Sequence, residues 1–93
     1  MISNFEQVHN YYERLVFEEV LRRTADWPHM TPDQLADVAC VALNRLPARY
    51  VRHDVDLMFY LTEQERNAIE LSLEAALDYG FRLVSERSSH GRP

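Results

Sequence analysis

Three helix starts are written into this 93-residue chain, and they leave little room for a fold that is not helical. Ser3-Asn4-Phe5-Glu6, Thr31-Pro32-Asp33-Gln34 and Thr62-Glu63-Gln64-Glu65 each set a hydroxyl residue three positions ahead of Glu or Gln. In that spacing the hydroxyl accepts from the third helical N–H and the longer side chain reaches back to the cap. Behind the first start, Phe5, Val8, Tyr12, Leu15, Val16 and Val20 recur at helical spacing and predict a helix through about Arg23. Arg22 and Arg23 complement its C-terminal dipole, and Trp27-Pro28 forbids continuation.

The second start places Pro32 where a missing N–H does no harm. Leu35, Val38, Ala39, Ala42, Leu43 and Leu46 then share a face, with Ala36, Cys40 and Val41 widening the apolar arc. A helix so apolar around its girth is expected at the centre, packed against several neighbours, some from a second chain. The third helix carries Ile69, Leu73, Ala76 and Leu77, with Gly80 expected as its left-handed C-terminal cap. Phe81, Leu83 and Val84 would fold back onto the core, and the polar residues from Glu86 to Pro93 would fray.

From Tyr50 to Leu61, Val55, Leu57 and Phe59 alternate with Asp54, Asp56 and Met58. That pattern fits a short strand or irregular arm, with a helical turn around Leu57 to Tyr60 as the competing reading. A lone strand needs a partner, and the obvious one is its twin in a dimer. The expected architecture is therefore all-α: a compact three-to-four-helix domain over residues 1–85, homodimeric, with an extended arm between helices two and three. A flexible tail over 86–93 follows.

Hydrophobic residues at 46% and charged residues at 27% suit one soluble domain with one modest core. A net charge of −5 opposes an extended nucleic-acid footprint, which rests on neutralising many phosphates. Cys40 is the only cysteine, so neither an intrachain disulfide nor a cysteine zinc cluster can form, and burial as a small hydrophobe is expected. The apolar run Val38 to Leu43 is too short to insert in a bilayer, and no basic leader precedes an apolar core, so a cytoplasmic location is expected. His9, His29, His53 and His90 are scattered without metal-ligand spacing. No glycine-rich phosphate loop and no nucleophile–base pattern stands out, so neither catalysis nor a cofactor is expected.

Cationic charge gathers in one place. Asn44 to His53 holds Arg45, Arg49, Arg52 and His53 where Pro47 must stop the helix. Arginine forks match phosphate oxygens or guanine O6 and N7, and tyrosine or guanidinium planes stack on bases. Arg45, Arg49, Tyr50 and Arg52 supply those groups, with Asn44 beside them. Asn10 and Glu13, three apart on the first helix, would share a face and either meet a ligand's exocyclic amines or buttress the arginines. Structural roles stay open for the same residues. Arg45 can offset a helix dipole, Arg49 or Arg52 can pair with Asp54, Asp56 or glutamates, Asn44 can cap, and Asn10 with Glu13 can make a dimer contact.

Asn10-Tyr11-Tyr12-Glu13-Arg14-Leu15-Val16-Phe17-Glu18-Glu19-Val20 resembles the N-terminal helix signature of the late competence protein ComFB family. Asp37 to Val51, with its Ala42-Leu43-Asn44-Arg45-Leu46-Pro47 core and following Tyr50, resembles the family's central motif. The resemblance implies a small, mainly helical, homodimeric bacterial receptor for cyclic dinucleotides, cyclic di-GMP and in some members cyclic di-AMP. Its output would touch competence or motility through a protein partner. Arg45 is favoured as a ligand contact because it lies inside the matched motif, and Arg52 least. Some relatives hold zinc with cysteines between the first two helices; Trp27-Pro28-His29-Met30 stands there in this chain, so zinc is not carried over. The alternative is a dimeric adaptor whose arginine corner holds an acidic protein and no small molecule.

Overall fold

The computed structural model describes residues 3–90. A two-residue strand β1 (His9–Asn10) leads into helix α1 (Tyr12–Arg23), followed by α2 (Pro32–Asn44), strand β2 (Tyr50–Val51), α3 (Asp54–Tyr60) and the long α4 (Glu63–His90). The fold is mainly α, as the caps require.

Two of the three capping boxes form. Gln34 N donates to Thr31 Oγ1 at 3.1 Å while Thr31 N donates to Gln34 Oε1 at 2.8 Å, opening α2. Glu65 N donates to Thr62 Oγ1 at 3.0 Å and Thr62 N to Glu65 Oε1 at 2.9 Å, opening α4. Those bonds to Thr62 favour the charged carboxylate and lower the Glu65 pKa.

The first box does not form. Phe5–Gln7 make only a 3-10 turn, with no side-chain cap at Asn4, and Phe5 and Val8 are exposed. A tertiary pairing displaces the local helix. Residues 9–10 extend to meet β2 in antiparallel register, His9 opposite Val51 and Asn10 opposite Tyr50, and Tyr11 N adds a bond to Arg49 O at 2.7 Å. The strand expected from the 54–59 alternation, with a twin as its partner, does not form; the extended part of this segment is confined to Tyr50–Val51, which pairs within the chain. The alternation at 54–59 resolves as helix: α3 starts with Asp54 and Asp56 in its first turn, where acidic groups oppose the dipole.

The core lies where α1, α2 and α4 meet. Tyr12, Val16 and Val20 of α1 and Val38, Ala39 and Ala42 of α2 bury with Leu46 against Ala76, Leu77, Phe81 and Val84 of α4. Trp27 stacks on Phe81 with ring centroids 5.3 Å apart. Arg23 ties α1 to α4 by donating to Asp78 at 2.7 Å and also binds Glu19. As expected, α2 is central, packing on both α1 and α4. Cys40 is exposed rather than buried, because the side of α2 that carries it faces away from α4 into an open groove beside α1.

Gly80 does not terminate its helix. No described residue has a left-handed backbone, and α4 runs through Gly80 to His90. The missing side chain serves close approach instead. A Cβ at Gly80 would lie 3.0 Å from Val38 O and 3.3 Å from Val38 Cγ1, so glycine lets α4 cross directly over the backbone of α2. Phe81 and Val84 reach the core as a continuation of the helix, not as a returning segment. The tail expected from Glu86 is helical as far as His90, and residues 91–93 lie outside the described part.

That crossing is open to test. Gly80→Leu is expected to lower the unfolding free energy by about 1–3 kcal/mol through overpacking, read as a lower urea midpoint. Gly80→Ala gains about 1 kcal/mol of helix propensity against a smaller clash and should fall between it and the wild type. Wild-type stability in Gly80→Leu would show that the α2–α4 crossing can open at no cost.

Candidate functional site

The arginine corner is built by the end of α2 and the ribbon that follows. Arg45 N donates to Ala42 O at 3.0 Å and Leu46 N to Leu43 O at 3.3 Å, so the helix closes with a tightened last turn before Pro47. Leu46 buries, and the chain then turns to lay residues 49–51 against β1. Arg49 N donates to Asn10 Oδ1 at 3.0 Å, fixing the ribbon from inside. Arg49, Tyr50 and Arg52 project from it as exposed side chains. Arg52 Nε donates to His53 Nε2 at 3.1 Å. Beside them lies a shallow depression of about 260 Å³ lined by Val51, Arg52, His53, Asp56, Leu57 and Tyr60.

The arginines do not converge as one cluster. The Arg45 guanidinium carbon lies 3.9 Å from the centre of the Tyr79 ring, a cation–π contact that commits it to α4. Arg49 instead sends its field toward Tyr12 and Glu65. Burial raises the Tyr12 hydroxyl pKa, and the Arg49 charge only partly offsets it. Among the described residues no carboxylate forms an ion pair with Arg49 or Arg52, whereas Arg14, Arg22 and Arg23 all have one.

Asn44 Nδ2 donates to Cys40 O at 2.9 Å, back along its own helix. Asn10 lies on β1, so the shared helix face expected for Asn10 and Glu13 does not exist. Its side chain is buried, and Oδ1 accepts from both Tyr12 N at 3.3 Å and Arg49 N. Glu13 stands in the first turn of α1. Asp54, expected as a partner for Arg49 or Arg52, pairs with His9 and Arg14 instead.

That last group was not visible in the sequence. His9 Nε2 lies 2.6 Å from Asp54 Oδ1 and Nδ1 lies 2.7 Å from Gln7 O, while Arg14 Nε approaches Asp54 Oδ2 at 3.5 Å. His9 and Asp54 stand 45 positions apart. Only the ribbon register brings them together, and no local spacing signals it. Tyr60 and Tyr79 enter the site's surroundings in the same way, through the placement of α3 and α4.

Both ring nitrogens of His9 face acceptors, and a neutral imidazole has one N–H to give. The hydrogen bond to Asp54, followed by that to the Gln7 carbonyl, raises the His9 pKa above 6.5, and the Asp54 and Glu13 charges add to it. Arg14 approaches the other oxygen of the same carboxylate from α1. A raised pKa means that folding favours the proton. The pair's contribution is complete below about 6.5 and fades as pH rises through the raised value. NMR titration of His9 is expected to give a pKa above 6.5 that falls back in Asp54→Asn, with faster amide exchange in α3 above the transition. A His9 pKa at or below 6.5 would mean that the pair does not form in solution.

Among the described residues no three His, Cys, Asp or Glu side chains lie where they could hold a metal ion, and no helix is long and apolar enough to cross a membrane. No match is found among curated proteins or among solved structures. Residues 9–88 match the family described as Late competence development protein ComFB. That span runs from the ribbon strand that anchors Arg49 through nearly all of α4, and it takes in every side chain placed at the corner: the chain belongs to the ComFB family.

Proposed function

We propose that the protein is a non-catalytic cytoplasmic receptor that binds a cyclic dinucleotide as a homodimer and relays its state to a protein partner. Cyclic di-GMP is favoured over cyclic di-AMP. The observation that carries the reading is the pair of exposed arginines, Arg49 and Arg52, with which no carboxylate among the described residues forms an ion pair although acidic residues outnumber basic ones 15 to 10. Held by a ribbon beside Tyr50, His53 and Tyr60, they combine bidentate anion donors with aromatic planes for stacking. In a chain of net charge −5, the corner gathers cationic groups in one short segment.

The depression supports the guanine preference. Asp56 borders it, and a carboxylate accepts from guanine's N1–H and exocyclic amine, a donor pair that adenine lacks. At about 260 Å³ the space suits one base and falls below the roughly 300–1,000 Å³ of typical ligand sites. A cyclic dinucleotide has two bases related by two-fold symmetry, and a symmetric dimer offers two such sites. Arg45, favoured from the sequence, has a structural partner in Tyr79, so the weight moves to Arg49 and Arg52.

Calorimetric titration with both messengers tests this. Saturable binding of cyclic di-GMP is expected, weakened about 10–100-fold by Arg49→Ala and by Arg52→Ala, since a hydrogen bond to a charged group contributes about 1.5–3 kcal/mol. Arg45→Ala should weaken it less. No heat with either messenger from folded protein would retire the receptor reading and leave the dimeric adaptor.

A further inference from the structure

One face of α3 has no partner among the described residues. Helical spacing puts Val55, Met58 and Phe59 on one side of α3 and Asp56, Leu57 and Tyr60 on the other. The second side borders the depression beside the ribbon. The first points outward, with Val55, Met58 and Phe59 exposed by 71%, 47% and 84%. Among the described residues no other helix packs extensively along α3. Asp54 pins its start through His9 and Arg14, and the buried Leu61 pins its end. The radius of gyration, 15.3 Å, exceeds the value of about 12 Å for a compact chain of this length, as a splayed α3 and a long α4 require.

A second apolar surface is equally unoccupied. Between α1 and α2 runs a groove of about 490 Å³, walled by Phe17 and Leu21 on one side and Ala36, Cys40 and Leu43 on the other, with no charged side chain in its lining. Phe17 and Leu21 are expensive to leave in water, Leu21 being 67% exposed. The same chain therefore carries an apolar ridge without a groove and an apolar groove without a ridge. Because both ends of α3 are fixed, the ridge does not reach its own groove.

We propose that the occupant of the groove is a second copy of this chain: the Val55–Met58–Phe59 face of α3 in one protomer seats between α1 and α2 of the other, and the reverse contact completes a two-fold dimer. This rests on the homodimer of the reading above and specifies the surfaces that form it. Neither surface includes a charged side chain, so its burial avoids the penalty that limits polar contacts. A stable dimer buries about 1,200–2,000 Å² in total, so each of two equivalent contacts must cover about 300–500 Å² per side. A single phenylalanine supplies about 150–250 Å² when buried, which puts Phe59 with Val55 and Met58 at the required scale.

The sole cysteine lines the groove and serves as reporter. Wild-type chain is co-expressed with a Cys40→Ala/Phe59→Cys chain and treated with a short bis-maleimide. A cross-linked dimer is expected from the mixture and from neither chain alone. Phe59→Asp and Leu21→Glu should each convert a wild-type dimer to monomer in sedimentation equilibrium with unchanged helical circular dichroism, since both side chains are exposed within one chain. A monomeric wild type would overturn this proposal together with the homodimer of the receptor reading. A dimer that survives Phe59→Asp, or that cross-links through Cys40 to Cys40 in the wild type, would overturn the exchange of α3 and leave the homodimer standing. Messenger binding is read separately by calorimetry, so the outcomes do not confound one another.

Discussion

The carbonyl oxygen of the Asn10 side chain is the joint on which the rest of the structure turns. It accepts from Tyr12 N at 3.3 Å, at the first residue of α1, and from Arg49 N at 3.0 Å, on the far side of the ribbon. The acceptor and the first of these donors are buried, Asn10 being 8% exposed and Tyr12 5%, while the bond from Arg49 is part-buried. A buried donor without an acceptor costs about 1–3 kcal/mol, so one amide group holds together two distant stretches of chain. Everything downstream follows from that register. It sets where α1 begins, which way the arginines project, and which histidine meets Asp54.

This joint also explains what was legible in the sequence and what was not. The caps at Thr31 and Thr62 were readable because each is a bond between residues three apart, closed before any tertiary contact forms. The matching pattern at Ser3 fails because the ribbon offers residues 9–10 partners at Tyr50 and Val51, far along the chain, and the helix that would run through them gives way. Gly80 was ambiguous for a physical reason. The lack of a Cβ suits both a left-handed cap and a tight helix crossing, and only the position of Val38 distinguishes them. Over seven residues, the alternation at 54–60 fits a two-residue period and a helical one almost equally well.

Charge is distributed with the same logic. The arginines of α1 are engaged: Arg22 and Arg23 bind Glu19, Arg23 also binds Asp78 on α4, and Arg14 shares Asp54 with His9. Burial of Glu19 would raise its pKa, yet the two arginine hydrogen bonds outweigh that and leave it lowered. These pairs hold helices in place. The arginines of the corner divide differently, Arg45 onto an aromatic ring and Arg49 and Arg52 toward solvent. Spacing alone would let Asp54 or Asp56 pair with Arg49 and Arg52. That pairing fails because α3 is a helix whose first carboxylate turns back to β1 and α1.

α3 is the element in which these threads meet. A helix of seven residues has too few internal bonds to be stable on its own, so its order must come from its surroundings. Within the chain those surroundings are the His9–Asp54 pair at one end, Leu61 at the other, and the ribbon beside its polar side. Its apolar side receives no support. A ligand in the depression would touch Arg52 and Asp56 on the supported side, and a second chain would touch Val55 and Phe59 on the other. Both would stabilise one arrangement of the same short helix. By linkage, whatever factor the second chain contributed to ligand affinity the ligand would return to dimer affinity. A two-faced helix without a core of its own is thus a better carrier of such coupling than α2 or α4, which are held against each other through the core and by the close approach at Gly80.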